Sequence, residues 1–502
     1  MEPEPGHGDL IMHTLPIRRA SSIRRALQLF LAASLPCTLS ACLVGPDYHR
    51  PAPATPVPAQ YTELPGWTHA TPEDAAPKGD WWTDFHDPLM DELEPLVAVS
   101  NQTVRQDYAN YRQALAEVQI ARSEMFPTIG VTGAASRAKQ PGTGASLGAG
   151  TLNSGSLEGT ASWTPDLWGQ VRRLIEENAA TAQADQATLA NATLSEQALL
   201  ASTIIDLRLA DAGIDLERQT VAAYKDALTI TQRQSDAGIA ATPPSAVITA
   251  QVELESAQAT LIGLGVARAQ YAHAIAVLVG RNPEDLDIPH SAIMPTLPTI
   301  PSGVPSTLLQ RRPDIAAAER TMKAENAAVG VAVAAYYPTL SLSADAGLSQ
   351  APLAGLLHAA NRVWSIGASG TETVFDFGAR RGEVAAAKAA YEGAVASYRG
   401  TVLAAFESVE NDLSGLRIYA DEAAALDVAV KDAKRGTEIA LAEFEAGTVD
   451  YTTVALAEET QLADQQTALN VQQNRLLDAV SLIADLGGGW SDSQLQDPVH
   501  PH

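Results

Sequence analysis

Chemistry in this sequence centres on Cys42, which is one of only two cysteines in 502 residues. The residues LSA precede it, and the stretch GPDYHRP begins three positions after it. A thiol in that position could pair in a disulfide or carry a covalent modification. The other cysteine, Cys37, lies shortly before Cys42. A disulfide between them is possible only if the segment that contains Cys37 stays in the mature protein.

The segment in front of Cys42 has the parts of a secretory signal peptide. A basic region with four arginines at positions 18–25 precedes the apolar run LQLFLAASLPCTLSA. The run is shorter than the roughly 20 apolar residues that a transmembrane helix needs, and its flanks are typical of export. A buried helix is the alternative interpretation. We expect residues 1–41 to be a signal peptide that is removed together with Cys37, with translation beginning at Met12.

The four residues that end at Cys42, LSAC, resemble the lipobox of bacterial lipoproteins. The resemblance implies a diacylglyceryl thioether on the Cys42 sulfur and a palmitoyl group on its new amine. Several acyl chains anchor a protein stably, because each buried CH₂ contributes about 0.8 kcal/mol. Leu43 follows in place of the Asp that retains such lipoproteins at the inner membrane. This favours the outer membrane of a Gram-negative bacterium, with the chain extending into the periplasm.

The sequence offers no pattern of catalytic residues. It contains no HExxH, no GxSxG, no paired CxxC and no phosphate loop of the Walker type, so we predict no enzyme activity, cofactor or metal site. Its histidines are scattered, whereas metal sites need clustered ligands. The net charge of −26 predicts a surface that repels nucleic acid and anionic lipid heads.

One sequence unit occurs twice in the chain. MFPTIGVTGAAS at 125–136 corresponds to YYPTLSLSADAG at 336–347. SDAGIAATPPSAVITAQ at 235–251 corresponds to FEAGTVDYTTVALAEET at 444–460. The offsets stay between 209 and 211 residues, so we interpret the chain as a duplication and not as two unrelated domains.

Each unit is predicted to contain a helix, a β-hairpin, a very long helix and a further helix. A proline ends the first helix of each unit, and the alternating pattern of TLSLSADAGLS is that of a strand. The strands have about the 9–11 residues of a tilted membrane strand. A small soluble sheet with aromatic core residues is the alternative. The predicted helices are roughly 89–124, 170–236, 245–280, 307–335, 379–446 and 451–486, with strands near 128–138, 156–164, 339–349 and 363–374.

The two longest segments without proline, 170–236 and 379–446, predict helices of about 67 residues, or roughly 100 Å. Their apolar residues recur every seven positions, which indicates coiled-coil packing. A helical bundle would share that packing. Four strands per chain are too few to close a useful barrel, and open strand edges cannot lie in lipid. Several copies must therefore donate strands to one barrel. The clearest seven-residue series is Leu200, Leu207, Ile214, Val221 and Leu228.

Five stretches together resemble the TolC-like outer-membrane factors, in the lipoprotein (NodT/OprM-type) branch that serves RND efflux systems. The resemblance covers nearly the whole mature chain. It implies a mainly α fold with a membrane β-barrel, in which a homotrimer forms a 12-stranded barrel on a long periplasmic α-helical barrel with a mixed equatorial domain. The stretches are GPDYHRP (45–51), DWWTDFHDPLMDEL (80–93), LLQRRPDI (308–315), FDFGARRGE (375–383) and DLGGGW (485–490).

The resemblance also implies a function and partners. The protein would be a passive exit duct for drugs or other toxic small molecules, working with a periplasmic adaptor and an inner-membrane RND pump. The alternatives are a duct for type I protein secretion and a coiled-coil adaptor without a pore.

In this family acidic residues help to close the periplasmic tip, often an Asp nine positions after the turn glycine. Counting from Gly447 gives Leu456, so this chain departs from the pattern. Asp450, Glu458 and Glu459 lie near and could serve instead, and the candidate gate residues are Asp450, Leu456 and Glu458. Closure is then expected to be partly hydrophobic, with Asp450 contributing cation binding. The alternative is that these acids only solvate a helix face.

We divide the chain into a signal peptide, two repeats and three connecting or terminal segments. The predicted divisions are 1–41 (signal peptide), 42–88 (lipid-anchored equatorial segment), 89–280 (first repeat), 281–306 (equatorial linker), 307–489 (second repeat) and 490–502 (tail).

Overall fold

The computed structural model of the chain divides into two compact units. The strand unit comprises Arg122–Leu174, Ala328–Val384 and the described residues up to Pro46, and the helical unit contains the rest. The predicted signal peptide, Cys42, His500 and His502 lie outside the described residues. The structure describes residues 43–53, 56–58, 60–63, 79–140, 150–238, 242–300, 310–350, 353 and 355–499.

The first repeat begins with two helices where the sequence predicted one over 89–124. These are α1 (Pro88–Ser100) and α2 (Gln102–Ser123). Asn101 separates them because its side-chain oxygen accepts the backbone N–H of Thr103 at 2.8 Å and so caps a new helix. Its amide nitrogen donates to the carbonyl of Leu278 at 3.0 Å. The break therefore ties the start of α2 to a later helix.

The strand unit contains one antiparallel sheet in the order β1-β2-β3-β4. β1, β2 and β3 extend further towards the loops than predicted, β2 most of all, whereas β4 ends at Thr371 and not at the predicted position 374. The bounds are β1 Thr128–Gln140, β2 Gly150–Trp163, β3 Thr339–Gln350 and β4 Arg362–Thr371.

The long helices match their predicted bounds to within one residue. α3 (Gln170–Asp236) and α6 (Ala379–Glu445) each contain 67 residues. A glycine with positive φ follows each, at Gly238 (72°) and Gly447 (74°), because the left-handed turn after a helix favours a residue without Cβ. The remaining helices are α4 Pro244–Leu278, α5 Pro313–Ala334 and α7 Tyr451–Asp485.

Gln310 and Arg311 are helical, and after a break at Arg312 the helix α5 begins at Pro313. Pro313 occupies its first turn, where a missing N–H costs nothing. Residues 301–309 lie outside the described part of the chain.

The main apolar core of the helical unit joins α1 to α3, α6 and α7. Leu200 and Leu207 of the seven-residue series are fully buried there, as is Val409, which corresponds to Leu200 in the second repeat. The series therefore marks core positions in both repeats. Leu93 and Leu476 belong to the same core.

One carboxyl group lies inside this core. Glu94 of α1 has no exposed surface, and neither of its carboxyl oxygens has a hydrogen-bond partner. Burial raises the pKa of Glu94 from 4.5 to about 9, because a charge without a partner is poorly stabilised away from water. Glu94 is therefore a protonated acid at neutral pH.

Two buried aspartates hold other segments of the helical unit against α3. Asp87 accepts two hydrogen bonds from the guanidinium of Arg208, at 2.9 and 3.1 Å. Asp211 accepts a hydrogen bond from Arg268 at 2.7 Å and another from the backbone N–H of Ser291 at 2.9 Å. These contacts fix the start of α1 and the segment after α4.

The sequence pattern did not mark α4 as a possible membrane span. By length and composition it is a candidate span. Two polar contacts tie it to neighbouring helices within the helical unit, from Arg268 to Asp211 and from Tyr451 to Glu253. Its apolar side chains Ile248, Val252, Ile262 and Val266 are more than half exposed in one copy.

Candidate functional site

The sheet has one apolar and one polar face. Residues paired across neighbouring strands share a face, so the three strand registers sort the side chains of all four strands. The two faces differ clearly in composition. The apolar face carries Ile129, Val131, Leu157, Leu342, Trp364 and Ile366, and the polar face carries Thr132, Ser136, Thr160, Ser343, Asp345 and Ser365.

The apolar face is uncovered in one copy. Ile129 is 80% exposed and Ile366 79%. On the polar face, Ser365 donates to the Asp345 carboxylate at 2.8 Å, and the hydroxyls of Ser136 and Ser154 lie 2.7 Å apart. Apolar residues outside and polar residues inside are the pattern of a membrane β-barrel that encloses water.

The turns that end the two long helices are tied together within the helical unit. Gln234, near the end of α3, donates to the carbonyl of Phe444 at 3.0 Å, and its side-chain oxygen accepts from Thr242 at 2.8 Å. The rings of Phe444 and Tyr451 lie 5.7 Å apart. With Val454 they form a small apolar cluster, which holds the hairpin α6–α7 against the hairpin α3–α4.

Of the three predicted gate residues, Asp450 and Leu456 are exposed. Asp450 is the N-cap of α7, and its carboxylate accepts from the backbone N–H of Thr453 at 3.2 Å. Leu456 is 58% exposed and lines a groove between α4 and α7. The Asp450 carboxylate is thus engaged with its own helix, while Leu456 offers an apolar surface.

Glu458 is half-buried and faces other acids. One of its carboxyl oxygens is buried without a hydrogen-bond partner. Burial, followed by the charge of Glu253, raises the pKa of Glu458 to about 7. Glu253 also accepts a hydrogen bond from the Tyr451 hydroxyl at 2.6 Å. Burial and the surrounding acids, Glu458 first, raise the pKa of Tyr224 to about 12.

Sequence reasoning missed the partners of Glu458 on α3 and α4. Glu217, Tyr224 and Glu253 line the same groove as Leu456, which has a volume of about 540 Å³. They lie some 200 residues from α7, and nothing in their local pattern marks them. The one available signal was the duplication, because these residues lie near the turn of the first repeat that corresponds to the turn at Gly447. No group of three or more potential ligands in the described chain could hold a metal ion.

A sheet with separate lipid and water faces, joined to helices of 67 residues, is the structure of an outer-membrane channel protein. The outer membrane efflux protein family model matches residues 95–281 and 304–488. The chain belongs to this family. The two matched segments coincide closely with the two predicted repeats.

Individual relatives agree with this assignment. The antibiotic efflux pump outer membrane protein ArpC of Pseudomonas putida is 28% identical over 463 residues, covering 90% of this chain and 93% of that protein. The toluene efflux pump outer membrane protein TtgC of the same species is 27% identical, with the same coverage. The solved structure of the outer-membrane channel OprN has a TM-score of 0.83 at 28% identity, covering 89% of this chain and 100% of that one.

These similarities confirm the predicted class. The protein is an efflux channel of the outer membrane that extends into the periplasm, and it is not an enzyme. The predicted fold class, a trimer that builds a β-barrel and a helical barrel, is confirmed by the same relatives. The alternative of a coiled-coil adaptor without a pore is wrong, because the family consists of channels.

Proposed function

We propose that this channel is the exit duct of a tripartite efflux system whose other components are a periplasmic adaptor and an inner-membrane pump of the RND class. The observation that carries the proposal is the polar face of the sheet. Its hydroxyl groups and isolated carboxylates form a hydrophilic lining without a specific binding site. Such a lining suits the passive transit of substrates. The energy for export must then come from a partner.

Toxic small molecules are the substrates that we propose for this duct. The relatives ArpC and TtgC are named for antibiotic and toluene efflux. The polar lining also suits the alternative, type I secretion of proteins, which needs the same wide bore. Deleting the chain should sensitise cells to antibiotics and solvents without reducing the proteins in the culture medium. Loss of a secreted protein with unchanged drug sensitivity would favour the alternative.

A lipid anchor at Cys42 is the second element of the proposal. The LSAC stretch and the signal-like segment before it support the anchor. Cys42→Ser should abolish incorporation of labelled palmitate and leave the precursor uncut, while Cys37→Ser should change neither. Palmitate incorporation that survives Cys42→Ser would exclude this attachment site.

The third element is closure at the tip of the helical unit. Leu456 supplies an exposed apolar surface near the α6–α7 turn, and Asp450 lies at the first turn of the same helix. We propose that closure is partly hydrophobic through Leu456, with Asp450 contributing to cation binding. Trimers with Asp450→Ala or Leu456→Ala should show a higher closed-state conductance in planar bilayers. Unchanged current in both variants would exclude this gate.

Glu458 adds a pH dependence to the proposed gate. Glu253 of α4, Tyr224 of α3 and Tyr451 of its own helix surround it. As the pH rises through about 7, Glu458 ionises beside Glu253, and the two charges repel across the α4–α7 groove. Closed-state conductance should therefore rise between pH 6 and pH 8. In Glu458→Gln it should stay constant, and an equal rise in that variant would refute the role of Glu458.

A further inference from the structure

The sheet of one copy ends at two edges, β1 and β4, to which the described part of the chain supplies no further strand. An open strand edge cannot lie in lipid, because its N–H and C=O groups find no water there. In the trimer, β4 of one copy therefore pairs with β1 of the next. The fold requires this pairing but does not define its register, and the register decides which side chains meet at the seam.

The internal duplication defines that register. β1 and β3 hold the same place in their repeats, as do β2 and β4. The hairpin registers give an offset of 211 residues for the first correspondence and 209 for the second. These offsets follow from two equivalent pairs, Thr128 with Ser162 and Thr339 with Thr371.

The contact of β2 with β3 inside the chain is then the template for the contact of β4 with β1 between chains. Gly159 lies opposite Ala346 in the chain. Applying the two offsets places Ala368 opposite Ala135 of the partner subunit. In this register the apolar faces of the two copies lie on the same side, as one continuous barrel wall requires.

An aromatic contact at the end of the strands supports the correspondence. The rings of Trp168, after β2, and Tyr337, before β3, stack at 5.0 Å. Their counterparts in the other repeat are Phe377, after β4, and Phe126, before β1. These two are 92% and 68% exposed in one copy. The chain makes this contact once internally and leaves the second contact open, where a neighbouring copy would complete it.

Charged residues on the described strands are sorted by face. The apolar face carries Arg137, Lys139 and Arg362, all near the loop end of the strands, whereas the polar face carries Glu158 and Asp345. A net charge of −26 predicts more acidic than basic side chains on any surface, so the excess of basic side chains on this face is unexpected. Within the described part of the chain, no hydrogen bond or ion pair engages the three basic side chains, and all three are exposed.

The register brings these cations together. It places Trp364 opposite Lys139 of the partner subunit, and Arg362 lies one pair nearer the loops, as a diagonal neighbour at about 7–8 Å. Ile366 lies opposite Arg137 of the partner subunit. Each seam therefore gathers two cations from one copy and one from the other, beside an exposed tryptophan ring. One copy alone does not form this cluster.

We propose that each seam binds the phosphate groups of the anionic glycolipid of the outer leaflet, through Arg362 of one copy together with Arg137 of the partner subunit and Lys139 of the partner subunit. Arginine binds phosphate in a forked geometry. Trp364 is suited to the headgroup level, and the acyl chains lie against the apolar face. The proposal rests on the trimeric outer-membrane channel and adds three lipid sites to it.

Paired cysteines test the register. In a background that retains only Cys42, the pair Ala135→Cys and Ala368→Cys should give covalently linked trimers under mild oxidation, because opposite strand positions lie within disulfide reach. The pair Ala135→Cys and Ile366→Cys, two residues out of register, should not. A second pair, Thr132→Cys and Thr371→Cys, tests the same register on the polar face. Assembled trimers that link only out of register, or in neither matched pair, would overturn the proposal.

Native mass spectrometry of purified trimers tests the lipid site, with bisphosphorylated lipid A as the probe. Wild-type trimers should retain up to three molecules. Arg137→Gln, Lys139→Gln and Arg362→Gln should each weaken binding about fivefold. Arg362→Lys, which keeps the charge, should weaken it less. Lys388→Gln, which removes an exposed cation from α6, should have no effect.

Two further lipids separate the phosphate and glycolipid parts of the proposal. Dephosphorylated lipid A should bind weakly to wild-type trimers, and equal retention would overturn a phosphate site. Equally tight binding of phosphatidylglycerol would overturn the choice of glycolipid. Drug export by the same variants distinguishes the proposals, because a lost lipid site with intact export leaves the efflux function standing.

Discussion

Replacing Glu94 with glutamine should stabilise the folded chain at neutral pH and remove the part of the pH dependence of its stability that Glu94 contributes. The carboxyl group is fully buried in the core of the helical unit and has no hydrogen-bond partner. Its pKa is about 9 in the folded chain against 4.5 when exposed. Between these values the folded state holds a proton that the unfolded state releases.

The sign and size of the effect follow from proton linkage. Because the folded pKa is raised, the wild-type chain has its full stability below pH 4.5 and loses stability as the pH rises to about 9. Each pH unit in this range costs about 1.4 kcal/mol, so at pH 7 the loss is about 3 kcal/mol per copy. Glutamine keeps the shape of the side chain and has no proton to take up.

Thermal unfolding of purified protein, followed by circular dichroism at pH 5, 7 and 9, would measure this effect. The midpoint of the wild type should fall across the series, and that of Glu94→Gln should fall by less, because Glu94 no longer contributes while other buried acids such as Glu458 still do. Glu92→Gln is the matched control, because Glu92 is an exposed acid on the same helix. Parallel curves for the wild type and Glu94→Gln would refute the assignment of a protonated Glu94.

Three further substitutions test other contacts. Arg208→Met leaves Asp87 buried without its partner and should destabilise the chain by about 3–5 kcal/mol in denaturant titrations; a loss below about 1 kcal/mol would mean that water reaches the carboxylate. Asp450→Ala removes the cap of α7 and should cost about 1 kcal/mol, visible as faster amide exchange confined to the first turn of α7. Tyr451→Phe removes the hydrogen bond to Glu253, worth about 1.5–3 kcal/mol, and should raise the closed-state conductance; an unchanged current would show that this bond does not restrain the tip.

Much of the architecture could be predicted because two periodic patterns dominate the chain. Proline-free segments marked both long helices, and the seven-residue series correctly identified Leu200 and Leu207 as core positions. The duplication then supported the assignment of each element through its counterpart. The single helix over 89–124 was wrong because Asn101 suits a helix interior poorly but a helix start well. Only the contacts of Asn101 with Thr103 and Leu278 show that it begins a second helix and does not lie inside a single one.

The gate residues show the limit of reasoning along one segment. Asp450, Leu456 and Glu458 were chosen by counting positions from the turn glycine. That count correctly locates the turn but does not reveal the groove beside it. Glu253 and Tyr224 enter the same groove from α4 and α3. Burial and the charge of Glu253 raise the pKa of Glu458, because folding brings Glu253 close to it from a distant part of the chain, and no count along the chain contains that information.

The amino-acid sequence by itself determined the duplicated plan, the long helices, the alternating strands and the class of channel. These depend on local periodicity and on segment length, which are properties of neighbouring residues. The tertiary structure alone decided which charges are buried, as with Glu94, and which strands lie side by side in which register. Burial and pairing depend on contacts between residues far apart in the chain, so their energies appear only when the chain is folded.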